Sequence, residues 1–117
     1  MFFLACPIIF ETADCFGGQI AKESDRLGAL DWSRINPATG PVFVCGAQPG
    51  DTLKVEILKI ELAEQAATVE APGEGITGLG AEEESTKILP VVNGKVVFND
   101  RISLEVNPMI GVIGTAP

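Results

Sequence analysis

Lys87-Ile88-Leu89-Pro90-Val91-Val92-Asn93-Gly94-Lys95-Val96-Val97-Phe98 decides the fold class. Two apolar, β-branched runs flank Asn93-Gly94, and both central residues tolerate the positive φ that a two-residue hairpin turn requires. The stretch therefore reads as a hairpin with strands over Lys87–Val92 and Lys95–Phe98. Downstream, Ile102-Ser103-Leu104-Glu105-Val106 alternates apolar and polar residues as a half-buried strand does, and Pro108 interrupts the pattern before the apolar run Met109–Gly114. Upstream, glycine and proline cut the chain into short apolar runs, the pattern of a β protein rather than a helical bundle. Strands are expected over Ile8–Thr12, over Gly40–Val44, and over Leu53–Leu62 after Gln48-Pro49-Gly50-Asp51, which has the chemistry of a type II turn.

Within Leu53–Leu62 the alternation changes phase. Leu53, Val55 and Ile57 share one parity, whereas Leu58, Ile60 and Leu62 share the other. A period of two shifts only by one extra residue, so either a β-bulge lies near Ile57-Leu58 or the strand passes between two sheet environments. Leu62–Ala71 is alanine-rich and reads as irregular. Gln19–Leu30 reads as loop with one helical turn, and Asp31–Arg34 leads into a turn at Asn36-Pro37. Gly73, Gly75 and Gly78 match a GxGxxG spacing, but Glu82-Glu83-Glu84 follows and would repel a phosphate, so the segment reads as a surface loop.

The length of 117 residues fits one domain, and a hydrophobic content of 46% makes it globular rather than disordered. The net charge of −8 argues against nucleic acid and anionic membranes, which need Lys and Arg to replace released counterions. With no histidine, the chain cannot by itself supply Ser-His-Asp or Cys-His catalysis or an imidazole metal site. Cys6, Cys15 and Cys45 are odd in number and lack CxxC spacing, which fits reduced thiols in a cytoplasmic protein. The apolar opening Met1–Phe10 lacks a basic start and is too short to span a bilayer. It reads as a buried strand, with a truncated lipoprotein signal ending at Cys6 as the alternative. At the other end, Gly114-Thr115-Ala116-Pro117 closes on an apolar run, so something is expected to follow it or cover it.

The candidate for chemistry is Phe10-Glu11-Thr12-Ala13-Asp14-Cys15-Phe16-Gly17-Gly18-Gln19-Ile20, which places a carboxylate, a thiol and two glycines in one turn. Glycines let another group approach closely, so Asp14 can be presented to a ligand. The same aspartate can equally well serve the turn by accepting backbone N–H groups. Cys15 lacks a base to deprotonate it and stands beside a carboxylate, which favours a buried structural thiol. Asp51 belongs to the turn after Pro49-Gly50. Trp32 reads as core.

Three segments in order, and a fourth at the end, resemble the acetamidase/formamidase family, whose members hydrolyse small linear amides. Phe10–Phe16 resembles its FET-x-DCF element, Asn36–Val44 its NPATGPVYV element, Gly46–Leu53 its GAEPGDxL element, and Asn107–Pro117 its PMIGxIGxAP element. Two positions depart: Cys45 and Gln48 stand where the family carries acidic residues. The resemblance implies a mainly β, distorted β-sandwich, incomplete relative to the full-length family. It also implies an N-terminal part lacking the histidine-containing HGGNMD-like segment, and hence a chain inactive alone.

Amide hydrolysis needs an activated water or nucleophile, a stabiliser for the oxyanion and an acid for the departing amine. On this resemblance Asp14 would orient a catalytic water or a divalent metal, zinc or calcium, whose other ligands this chain does not hold. Glu11 is the second catalytic candidate, although strand alternation sets it on the opposite face from Asp14 unless the turn has begun. Asn36 and Thr39 are candidates for substrate binding. The expected partners are a small amide substrate, a missing C-terminal portion or partner subunit, and further copies of the chain in a homo-oligomer. The other reading is a non-catalytic β-sandwich interaction module or gene fragment.

Overall fold

Around Asn93-Gly94 the backbone has φ of 50° and 75°, the left-handed pair that lets two strands reverse with their natural twist. In this computed structural model, which describes residues 7–76 and 79–116, the turn joins the second and third strands of an antiparallel meander. The strands are β1 Gln65–Glu70, β2 Ser85–Val92, β3 Lys95–Asn99 and β4 Ile102–Glu105, and their order in the sheet is their order in the sequence. Met1–Cys6 of the opening apolar run, Gly78 of the glycine-rich stretch and Pro117 of the last motif lie outside the described residues.

The hairpin pairs Val91 with Val96 and Val92 with Lys95. Next, β3 and β4 pair Lys95 with Glu105 and Val96 with Leu104, and a register irregularity falls between Val97 and Asn99. The ammonium of Lys95 and the Glu105 carboxylate, opposite each other, form an exposed ion pair at 3.0 Å. Asn99 Oδ1 accepts the N–H groups of Arg101 and Ile102, both at 2.9 Å, and thereby shapes the β3–β4 turn. The mainly β class expected from the sequence is what the structure shows. Among the described residues no helix is longer than a single 3₁₀ turn, and no helix is long and apolar enough to cross a membrane.

The segment read as irregular, Leu62–Ala71, contains β1. Its alanines carry little strand propensity, but β2 offers a six-residue ladder in which Ala66 faces Leu89 and Ala67 faces Ile88. Small residues opposite large ones suit this packing; Leu89 is buried near one end of the ladder and Ala71 just past the other. The strands expected over Ile8–Thr12, Gly40–Val44 and Leu53–Leu62 are corrected: none of these stretches pairs with another strand among the described residues. Alternation supplies strand chemistry, but a strand forms only when a neighbour takes its N–H and C=O groups. With no ladder through Ile57-Leu58, the phase change there marks no bulge in this structure.

The turn signals fare better. Gly50 has φ 97° and the Asp51 N–H donates to the Gln48 carbonyl at 3.0 Å, a type II turn with Pro49 in its expected place. Asp51 Oδ2 accepts from the Gln48 N–H at 2.9 Å, so this carboxylate serves the turn. One 3₁₀ turn, Leu27–Ala29, falls inside the expected loop, and a second covers Trp32–Arg34. Trp32 is exposed rather than core. The Gln19–Arg34 loop is fastened to β2 and the residue before it: the Thr86 hydroxyl, on a buried residue, donates to the Asp25 carbonyl at 2.6 Å, and Glu84 Oε1 accepts the Leu27 N–H.

Candidate functional site

The Asp14 turn closes through its own carboxylate. Oδ1 accepts the Phe16 N–H at 2.7 Å and the Gly18 N–H at 3.2 Å, while the Asp14 carbonyl accepts the Gly17 N–H at 3.0 Å. Gly17 and Gly18 follow with φ of 63° and 74°, a conformation that side-chain-bearing residues avoid. The turn-forming role of Asp14 is therefore realised on one oxygen. Oδ2 makes no hydrogen bond within the described residues, and the side chain is exposed.

A second segment runs back alongside this turn in the opposite direction. The Thr39 hydroxyl donates to the Glu11 carbonyl at 3.1 Å, and the Asn36 N–H donates to the Cys15 carbonyl at 2.7 Å. At Gly17 an added Cβ would stand 2.9 Å from the Arg34 carbonyl oxygen, so the two backbones touch where only glycine fits. Farther along, the Gln19 amide donates to the Asp31 carbonyl at 3.2 Å and accepts the Asp31 N–H at 2.8 Å. Each link joins positions whose separation shrinks steadily, from 11 and 39 to 19 and 31, as in an antiparallel pair.

All four sequence candidates thus meet at one junction. Glu11 and Asp14 lie on its first segment, Asn36 and Thr39 on its second. Glu11 takes part through its main-chain carbonyl, and its carboxylate is exposed. Asn36 has φ 52°, an unusual value that asparagine tolerates, and a cis peptide joins Gly40 to Pro41 just beyond. Cys15 and Cys45 are free thiols, both exposed, so the buried position expected for Cys15 is corrected.

Sequence reading missed Gln19. Its amide matches both backbone groups of Asp31 and so stands in for a missing pair of main-chain hydrogen bonds. Only its place directly after the glycine pair hinted at this. Asp25 was missed as well: Oδ2 accepts the Ala21 and Lys22 N–H groups at 2.9 and 3.1 Å. Those bonds, the Ala21 N–H first, hold its carboxyl below the usual range, aided by the Lys22 and Arg26 charges. Asp31 is lowered likewise, chiefly by the Ser33 hydroxyl and then by the Ser33 N–H. A cleft of about 420 Å³ opens beside the junction, walled by Gln19, Ser24, Asp25, Arg26, Ala29 and Leu30. Asp14 is not among its walls.

Among the described residues, no group of three or more His, Cys, Asp or Glu side chains stands close enough together to hold a metal ion. With Oδ1 of Asp14 engaged by two N–H groups, the residues present do not make up a divalent-metal site by themselves.

A mainly β chain with a carboxylate-bearing turn braced by an Asn-Pro segment defines a β scaffold that presents an exposed acidic turn. Its likeness to solved proteins is specific. An acetamidase from Bacillus halodurans shares 46% identity with a TM-score of 0.86, over 92% of this chain and 37% of that one. A recombinant predicted acetamidase/formamidase from the thermophile Thermoanaerobacter tengcongensis shares 50% identity with a TM-score of 0.81, over 91% of this chain and 35% of that one. No curated protein matches significantly. The acetamidase/formamidase family profile matches residues 6–117, and the chain belongs to that family. It spans little more than a third of the length of the solved structures it matches.

Proposed function

We propose that the chain is the N-terminal part of an amidase that hydrolyses small linear amides of the formamide and acetamide class to carboxylate and ammonia. The observation that supports this most is 46% identity with an acetamidase over 92% of the chain. In this reading the unengaged Oδ2 of Asp14 orients the attacking water and withdraws its proton, while Oδ1 holds the turn in place. Glu11 is the second carboxylate available for proton transfer. Asn36 and Thr39, on the facing segment, hydrogen-bond the amide substrate.

The oxyanion stabiliser and the remaining groups come from residues that this chain does not supply, so it is inactive alone. If a zinc or calcium ion takes part, Asp14 is the ligand this chain would add. The whole enzyme is cytoplasmic, in keeping with free thiols at Cys15 and Cys45, and works as a homo-oligomer. One observation favours the rival reading of a non-catalytic interaction module: Oδ1 of Asp14 is already used by its turn.

The test is ammonia release from acetamide and formamide, measured for the chain alone and with a polypeptide covering the unmatched part of the Bacillus acetamidase. The expected result is turnover in the combination only, lowered on the order of 10²-fold or more by Asp14→Asn. Turnover by the chain alone, or none in the assembled combination, overturns the proposal.

A further inference from the structure

The surface of the chain is larger than a self-sufficient domain of its size would show. It exposes 9824 Å², whereas folded monomers of this mass expose roughly 6,100 Å². Taken from this chain alone, an excess of about 3,700 Å² is well above the roughly 800 Å² per partner of a standard interface and points to an obligate one. The radius of gyration, 17.8 Å, likewise exceeds the roughly 13 Å usual for this length. Yet this conformation is the one that an acetamidase adopts over the matched region, with a TM-score of 0.86, within a chain of which that region is only 37%.

Part of this surface lies where the sequence promised strands and the structure supplies no partner. From Thr52 to Ala63 no backbone group makes a hydrogen bond to another backbone group among the described residues. Leu53, Val55 and Ile57 on one parity are exposed by half or more, and so is Leu58 on the other. Such groups need partners when their surroundings become dry, and a neighbouring strand supplies them most directly. The phase change at Ile57-Leu58 means that apolar side chains lie to both sides of the backbone. A single added strand covers one edge only, so the occupant is a folded body that meets both faces. Ile9 and Phe43, exposed at 91% and 85%, extend the apolar surface into the two other unpaired stretches.

We propose that Leu53–Leu62 is completed by strand addition from the polypeptide that corresponds to the unmatched part of the acetamidase chains, and that this is the main interface of the assembled protein. The proposal rests on the reading of this chain as part of an amidase. A second copy of the chain is a poorer occupant, because each copy carries a net charge of −8 and the two would repel.

The test is hydrogen exchange on the 117-residue chain, alone and with the polypeptide covering the part of the Bacillus halodurans acetamidase beyond the matched region. The same polypeptide joined through a flexible linker serves as a second arm. The expected result is a one-to-one complex by light scattering, with amides 53–62 protected only when the polypeptide is present. Val55→Pro and Ile57→Pro, each removing one N–H, should weaken the complex on the order of tenfold, with exchange in the β2–β3 hairpin unchanged. Failure to bind in both arms, binding with residues 53–62 still unprotected, or protection arising from self-association alone overturns the proposal. Protection without amide turnover leaves this interface standing and removes the amidase activity, whereas turnover with residues 53–62 unprotected does the reverse.

Discussion

Asp14 acts through two oxygens whose roles can be separated by substitution. Asparagine keeps an acceptor for the Phe16 and Gly18 N–H groups but loses the charge, whereas alanine loses both hydrogen bonds. Asp14→Ala is therefore expected to destabilise the chain on the order of 1 kcal/mol in urea titration, and Asp14→Asn by only a few tenths. Equal losses would show that the charge, rather than the acceptor geometry, holds the turn. Gly17 sets a stricter constraint, since its φ of 63° and the Arg34 carbonyl both oppose a side chain. Gly17→Ala should cost about 1–3 kcal/mol, and an unchanged urea midpoint would mean that the two segments are not in contact. These residues were legible from the sequence because a glycine pair beside an aspartate has few other uses. Gln19 was not, because its partner Asp31 lies twelve positions away and an amide in a loop has no characteristic spacing.

At the scale of elements, what the sequence revealed depended on whether the partner was local. The β2–β3 hairpin carries its own turn and its own partner, so Asn93-Gly94 announced it. β1 was hidden because Ala66 and Ala67 owe their strand to Ile88 and Leu89, twenty-odd residues downstream. Leu53–Leu62 shows the opposite case, with strong alternation and no neighbour. The Gln19–Arg34 loop is held by carboxylates, and its pH response follows in sign from their lowered pKa values. Asp25 and Asp31 titrate below their unfolded values, so their contribution is complete above about pH 4 and is lost as pH falls through the folded values. Both side chains are in contact with water, so salt should weaken the effect. Trp32, the single tryptophan, directly follows Asp31 and reports on the loop. Its fluorescence should change as pH falls from 4 toward 2, at a pH that Asp31→Asn alters. A signal flat over that range, or identical in the variant, contradicts the assignment of these bonds.

For the whole molecule, surface area decides how the chain unfolds. An unfolded chain of this mass exposes roughly 17,800 Å², so a compact domain of the same length would gain about 11,700 Å² on unfolding. This chain already exposes 9824 Å² and gains only about 8,000 Å². Since the denaturant slope scales with the area exposed, the urea m-value of the isolated chain should be about two-thirds of that usual for 117 residues. The buried apolar groups that must hold the sheet together are few, principally Ile20, Ala71 and Leu89, so the transition should come at low urea as well. The apolar side chains left in water at Ile9, Phe43 and Leu58 should bind a hydrophobic dye in the native state, and a polypeptide that completes the fold should displace it. A full-sized m-value with no dye binding would mean that the chain folds its apolar segments onto its own sheet. It would then be a self-contained β domain, and the surface attributed to an interface would not exist in solution.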